Sequence, residues 1–223
     1  MKGFILLIGF LFLSCSSHKH NHKIHQNHKF EGHLHRFNDA EKWAKVFEDR
    51  SRDSWQKPQE VFKRLEIKAD SMIADIGSAT GYFPVRLARI AEQGRVWGVD
   101  IEPDMISFLN RRAKKEQLDN LFSILGTPAD PLIPEPVDFI FMVDTYHHIP
   151  ERVKYFRQLK QYLTPSGQII IIDFKKKKLP IGPPVEMKMS KAQIVEELSQ
   201  AGFEIVMQDD YLIYQNVLVF EVK

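Results

Sequence analysis

The stretch "MIADIGSATGYF", Met72–Phe83, is an apolar run that closes on an acid, Asp75, and then falls into Gly77, Ser78, Ala79, Thr80 and Gly81. An apolar run of this length that ends in glycine reads as a buried strand followed by a turn. Small residues in succession contribute little to a core, so the sequence predicts that something other than protein comes close to this backbone. Gly77 and Gly81 can take backbone angles closed to other residues. The first amides of the following helix favour negatively polarised groups. In an open parallel sheet, the first turn between strand and helix lies at the crevice where ligands bind.

Working outward, runs rich in Val and Ile alternate with helical patterns from Met72 onward, the signature of successive βαβ units and a mostly parallel sheet. Strands are predicted near Met72–Ile76, Arg95–Asp100, Leu121–Leu125, Val137–Val143 and Gln168–Phe174. Helices are predicted near Phe83–Glu92, Pro103–Gln117 and Glu151–Leu163, and from Lys191 to Ala201 with Gly202 as the stop. The tail "FEIVMQDDYLIYQNVLVFEVK" reads as two consecutive strands with no crossover helix, which requires an antiparallel return. The expected fold is therefore α/β: a Rossmann-like, doubly wound, mostly parallel seven-stranded sheet with an antiparallel C-terminal strand.

The second strand ends on Asp100, about 20 residues beyond the glycine turn, where an acid that grips ribose hydroxyls is found in nucleotide-binding sheets. A dinucleotide fingerprint wants a third glycine where Tyr82 stands, so a nicotinamide-dependent reductase is disfavoured. At this point the chain resembles the class I S-adenosylmethionine-dependent methyltransferases, from about Ala69 to the C-terminus. In that family an acid precedes G-x-G-x-G, matched here by Asp75, Gly77 and Gly81, with Ala79 where the middle glycine is usual. Among its branches the chain is most similar to small-molecule methyltransferases related to those of quinone biosynthesis.

The resemblance implies S-adenosyl-L-methionine as cofactor and a small-molecule methyl acceptor. It implies that Asp75 and the loop Gly77, Ser78, Ala79 and Gly81 hold the amino-acid end of the cofactor. Asp100 and Ile101 would hold the ribose, Ala129 and Asp130 in "GTPADP" the adenine, and Asp144 would line the pocket. The fourth strand ends in "FMVDTYHHIP", which projects Tyr146, His147 and His148 toward the expected methyl group. Transfer from a sulfonium needs alignment and exclusion of water more than acid-base chemistry. A protic acceptor also needs a base, for which the histidines are candidates, with Tyr146 to orient the acceptor. Asp173, closing "IIIIDF", is the next candidate for acceptor contact. The Pro-rich run after Lys175–Lys178 is long enough for a lid, and "RDSWQKP", Arg52–Pro58, is placed to fold over the cofactor. The alternative for each of these residues is a packing or strand-end role.

The chain has 223 residues, 43% hydrophobic and 27% charged, with a net charge of +2. That suits one globular domain with an appendage and gives no basic excess for nucleic acid. The appendage begins with Lys2 and "GFILLIGFLFLS", too short to span a bilayer as a mature helix but suited to an export signal. It stops at Cys15, the only cysteine, in "FLSC", which is similar to the lipobox of bacterial lipoproteins. Between His18 and His35 lie seven of the nine histidines among Lys, Asn and Ser, a composition that cannot form a core. The expected organisation is signal and lipobox over 1–17, tether over 18–36, and methyltransferase domain over 37–223 with a helical cap at 37–68. Lipidation at Cys15 places the protein in the cell envelope, on a membrane; without use of the signal it is cytoplasmic. An exported enzyme raises the question of cofactor supply, since S-adenosylmethionine is made in the cytoplasm. No metal site is assigned, and the rival reading is a non-catalytic or metal-binding lipoprotein whose histidine tether carries the activity.

Overall fold

A computed structural model describes residues 37–223 of the chain. The predicted signal, Cys15 and the histidine-rich tether lie outside the described residues. Three short helices come first: α1 (Ala40–Phe47), α2 (Arg52–Gln56) and α3 (Pro58–Arg64). There follow β1 (Met72–Ile76), α4 (Pro84–Ile90), β2 (Arg95–Asp100), α5 (Pro103–Lys115), β3 (Leu121–Leu125) and β4 (Val137–Val143). The chain continues through α6 (Arg152–Leu159), β5 (Leu163–Phe174), α7 (Lys191–Ala201), β6 (Phe203–Asp209) and β7 (Gln215–Val222).

All seven strands form one sheet in the order β3-β2-β1-β4-β5-β7-β6. Pairing is parallel from β3 through β5, and β7 runs antiparallel to both β5 and β6. This is the Rossmann-like, mostly parallel α/β sheet that the sequence predicts. Alternation along the strands divides the core in two, because successive side chains point to opposite faces. Ile140, Met142, Ile169, Ile171, Leu218 and Phe220 pack with Phe156 and Leu159 of α6 and Ile194 and Leu198 of α7. Phe141, Ile170, Ile172, Val217 and Val219 pack with Phe62 of α3, Leu87 of α4 and Leu109 of α5. Covering both faces explains why β5 reads as an unbroken apolar run instead of an alternating one.

The helices end where their sequences say they should. Ser190 caps α7 by accepting a hydrogen bond from the Gln193 N–H at 3.2 Å, and Gly202 closes it in the left-handed conformation at φ 90°. Pro103 opens α5, whose Met105, Leu109 and Ala113 form the buried stripe. Two boundaries differ from expectation. The helix predicted to Leu163 ends at Leu159 and tightens into a 3₁₀ turn, and β5 starts at Leu163 instead of Gln168. Leu163 pairs with Val137 across an irregular register, so the turn-like "TPSG" is carried into the ladder by its neighbour.

The order matters for the site. β1 and β4 are neighbours, yet the chain leaving β1 packs as α4 on one face while the chain leaving β4 packs as α6 on the other. Their loops diverge at the carboxyl ends and leave the crevice in which such sheets bind ligands. Leu109 holds the glycine loop to α5 from below: a Cβ at Gly81 would lie 2.5 Å, and one at Gly98 2.4 Å, from its methyl carbons. Replacing the fully buried Leu109 by Ala is expected to destabilise the domain by about 2–5 kcal/mol, measured as a lower midpoint in urea unfolding.

Candidate active site

The loop after β1 is tied to β2 by its own backbone, with the Gly77 and Ser78 N–H groups both donating to the Val99 carbonyl at 2.8 and 3.0 Å. Gly77, Ala79 and Gly81 take φ of 79°, 47° and 98°. The left-handed angle at Ala79 is costly for a residue with a Cβ. One expectation needs correction. The room freed at Gly77 and Gly81 is taken by the protein itself, since a Cβ at Gly77 would lie 2.2 Å from Thr145 Oγ1 and one at Gly81 against Leu109. The glycines serve a tight fit of loop against strand ends.

What the loop offers a ligand is polarity. Asp75 is 3% exposed, and its Oδ1 and the Ser78 Oγ are buried atoms without a hydrogen-bond partner. Burial, and after it the charge of Asp100, push the Asp75 carboxyl well above the usual range, against the pull of Arg52. A carboxylate in that position calls for a cationic or N–H donor. An amino group fits it. Asp100 accepts from the Ala79 N–H at 2.9 Å through Oδ2 and from the Glu102 N–H at 3.0 Å through Oδ1. Burial raises its pKa, against the backbone N–H bonds of Glu102, Ala79 and Ile101. With three backbone N–H groups on its about four lone-pair sites, the carboxylate has room for one further donor. Ile101 follows half-buried at the strand end.

The structure does not bring Asp130 into this cluster. Its carboxylate accepts from the Tyr162 hydroxyl at 2.7 Å and the Leu132 N–H at 2.9 Å, with Ala129 exposed beside it. Both contacts fall on Oδ1, so Asp130 braces its loop against Tyr162, in the turn just before β5.

At the end of β4, Asp144 also takes a left-handed angle, φ 56°, and is half-buried against three side chains. Gln215 Nε2 donates to its Oδ1, Gln56 Nε2 donates to Oδ2 at 3.3 Å, and Arg52 stands 4.0 Å away. Burial, with the nearby charge of Asp173, raises its pKa to about 6. His147 turns its Nδ1 to both oxygens of Asp173, at 3.1 and 3.0 Å, and the two side chains are 4% and 2% exposed. Burial alone would lower the His147 pKa, but the bond and charge of Asp173 outweigh it and leave it raised. Asp173 also accepts the Phe174 N–H at 2.7 Å. His148 points elsewhere, half-buried edge-on to Phe37, with its ring 4.2 Å from that of His147.

Tyr146 is a further correction. It is fully buried, and its hydroxyl donates to Glu197 of α7, which Arg152 and Gln193 also engage. Tyr146 thus anchors the 3₁₀ turn Tyr146–His148 to α7.

Several site residues have no signal in the sequence beyond "RDSWQKP". Glu48 accepts from the Thr80 hydroxyl at 2.7 Å and pairs with Arg112 at 2.7 Å, and Asp53 accepts from Tyr82 and Arg86. The cap α1–α2 therefore lies over the glycine loop. Gln215 reaches Asp144 only because β7 inserts beside β5. The Pro-rich connection is fastened near Asp173, with buried Lys188 donating to the Lys177 carbonyl at 2.9 Å while Lys176–Lys178 stay exposed.

A family model described as a methyltransferase domain matches residues 67–216, most of the chain. The chain belongs to this methyltransferase family. A SAM-dependent methyltransferase from Aquifex aeolicus superposes with a TM-score of 0.77 at 28% identity, over 83% of this chain and 99% of that one. The 27-O-demethylrifamycin SV methyltransferase of Amycolatopsis mediterranei is 26% identical over 66% of this chain and 53% of its own length. A demethylmenaquinone methyltransferase of Halalkalibacterium halodurans is 20% identical over 57% and 52%. The chain spans about half the length of these curated relatives. In this methyltransferase, relieving the left-handed strain at residue 79 is expected to help. Ala79→Gly should stabilise the domain by about 0.5–1 kcal/mol, read as a rise in the urea midpoint.

Proposed function

We propose that this methyltransferase moves a methyl group from S-adenosyl-L-methionine to a small protic molecule by direct in-line displacement. The observation that carries the reading is a cluster of polar groups at the carboxyl ends of β1 and β4. The unpartnered, buried Asp75 and Ser78 stand across the β1/β4 divergence from Asp144 and the His147–Asp173 pair. The SAM-dependent enzyme of Aquifex aeolicus supports the donor, and the named substrates of the relatives support a small-molecule acceptor.

When bound, S-adenosylmethionine supplies the methyl group on a sulfonium. Asp75 and Ser78 would hold the amino group of its amino-acid end, and Asp100 would accept from a ribose hydroxyl through its remaining lone pair. Asp144 contributes negative charge beside the reacting centre. Asp173 fixes the His147 ring through Nδ1, so that Nε2 is the nitrogen left to take the acceptor's proton. The cap and the Pro-rich connection exclude water from the crevice, which sharpens alignment. Attachment through Cys15 to a membrane, with the histidine-rich segment as spacer and the cell envelope as location, belongs to this proposal and is supported by "FLSC" after an apolar run. Loss of fatty-acid labelling in Cys15→Ala would support the attachment, and equal labelling would sink it.

Mass spectrometry of nucleosides that copurify with the protein, together with calorimetric titration of S-adenosylmethionine, tests the donor. Binding that falls at least about tenfold in Asp75→Asn supports the assignment, and heat unchanged in that variant overturns it. The base has its own signature. His147 must be neutral to accept a proton, and its pKa is raised, so kcat is expected to rise with pH through a midpoint above 6.5. Asp173→Asn removes the group that raises it and should move the midpoint down. His147→Asn should lower kcat by about 10²–10⁴-fold, followed by methyl incorporation into the acceptor.

A further inference from the structure

Glu197 of α7 lies on the face of the sheet covered by α6 and α7, and the function proposed above gives it no part. Its side chain is 17% exposed, yet four donors converge on it. Oε2 accepts from the fully buried Tyr146 hydroxyl and from Arg152 Nε. Oε1 accepts from Arg152 Nη2 at 3.1 Å and from Gln193 Nε2 at 2.9 Å. Arg152 then reaches onward: its Nη1 donates at 3.0 Å to the carbonyl of Ile149, the residue that closes the 3₁₀ turn Tyr146–His148.

One carboxylate therefore grips that turn at both ends, through Tyr146 where it begins and through Arg152 where it stops. His147 is the residue between. A single 3₁₀ turn has poorer hydrogen-bond geometry than an α-helix, and its own backbone bonds are His148 N–H to Thr145 at 2.9 Å and Ile149 N–H to Tyr146 at 3.2 Å. Such a turn needs outside support to hold one orientation. The Tyr146 ring adds apolar packing on Phe156, with centroids 5.4 Å apart. On its other side His147 meets Asp173 through Nδ1, at 3.0 and 3.1 Å. Displacing a reacting group by about 1 Å can cost about a hundredfold in rate.

We propose that Glu197 is a positioning residue for methyl transfer: through Tyr146 and Arg152 it fixes the turn that aims His147, so that Asp173 holds the ring and Glu197 holds the backbone behind it. The inference rests on the reading of His147 as the base. The charged groups that face His147 are Asp173 from β5 and Asp144 from the end of β4, which favour its protonated form, and Arg152 from α6, which opposes it. The His148 ring lies 4.2 Å from it, and Lys188 of the Pro-rich connection acts on Asp173. Glu197 offsets the Arg152 charge. Glu197→Gln thus slackens the turn and leaves Arg152 uncompensated, and both effects weaken proton binding at His147. Tyr146→Phe changes no charge at neutral pH and removes only the anchor.

Nuclear magnetic resonance of the full chain labelled with ¹⁵N-histidine tests this without an acceptor, the His147 signals being those lost in His147→Asn. Glu197→Gln is expected to move the His147 titration midpoint down and to weaken the downfield resonance of the Nδ1–H bonded to Asp173. Tyr146→Phe should act in the same direction to a smaller extent. Glu196→Gln, on the exposed side of the same helix, should leave both readings unchanged. S-adenosylhomocysteine affinity by calorimetry should stay within about twofold of the wild-type chain in all three variants. Unchanged His147 signals in Glu197→Gln overturn the inference. A change there with none in Tyr146→Phe also overturns it, since charge alone would then account for the effect, and so does a parallel loss of S-adenosylhomocysteine binding, which marks general destabilisation. If Glu197→Gln does not fold, Tyr146→Phe decides by the same two signals. Undiminished methyl transfer in His147→Asn refutes the base reading itself, whereas the titration reports on the clamp separately.

Discussion

The pairing of β1 with β4 is the constraint from which the rest follows. Because the sheet grows toward β2 and β3 on one side and toward β5 on the other, the chain must leave these two central strands in opposite directions. Gly77 packs directly against Thr145, so the two exits are held in contact at their base. Asp75 and Asp144 are thereby fixed as residues of one crevice, although 69 positions separate them in the sequence (144 − 75).

That arrangement concentrates negative charge where solvent cannot screen it. Asp75 and Asp173 are buried and Asp144 is half-buried, and loss of solvent raises Asp75 and Asp144 above the ordinary carboxylate range. Removing such groups from water costs several kcal/mol each unless partners compensate. Asp173 has His147 and the Phe174 N–H, and Asp144 has Gln56, Gln215 and Arg52. Asp75 alone keeps an oxygen without a protein partner. The imbalance suits a ligand that brings positive charge into the site.

The helices α1 and α2 meet the sheet ends through polar contacts together with the packing of Trp55 on Phe174 and Tyr214. Glu48 engages Thr80 and Arg112, Asp53 engages Tyr82 and Arg86, and the fully buried Gln56 donates to Asp144. The next helix, α3, is embedded in the core through Val61 and Phe62.

The sequence by itself determined the strands from Met72 to Val143, the α7 cap and stop, and the glycine loop flanked by Asp75 and Asp100, because each is a local pattern of period, turn chemistry or small residues. It also marked His147 and Asp173 as separate candidates. Only the tertiary structure decided that they bond to each other, that Tyr146 turns back to Glu197, that Asp130 is drawn to Tyr162, and that Thr145 and Leu109 fill the glycine hollows. Gln215 entered the site the same way, and Arg52, which the sequence placed only in a covering segment, gained its contact with Asp144 there. Such outcomes depend on which strand inserts beside which and which face of a turn is buried, and these are set by contacts between residues far apart in the chain, on which local periodicity is silent.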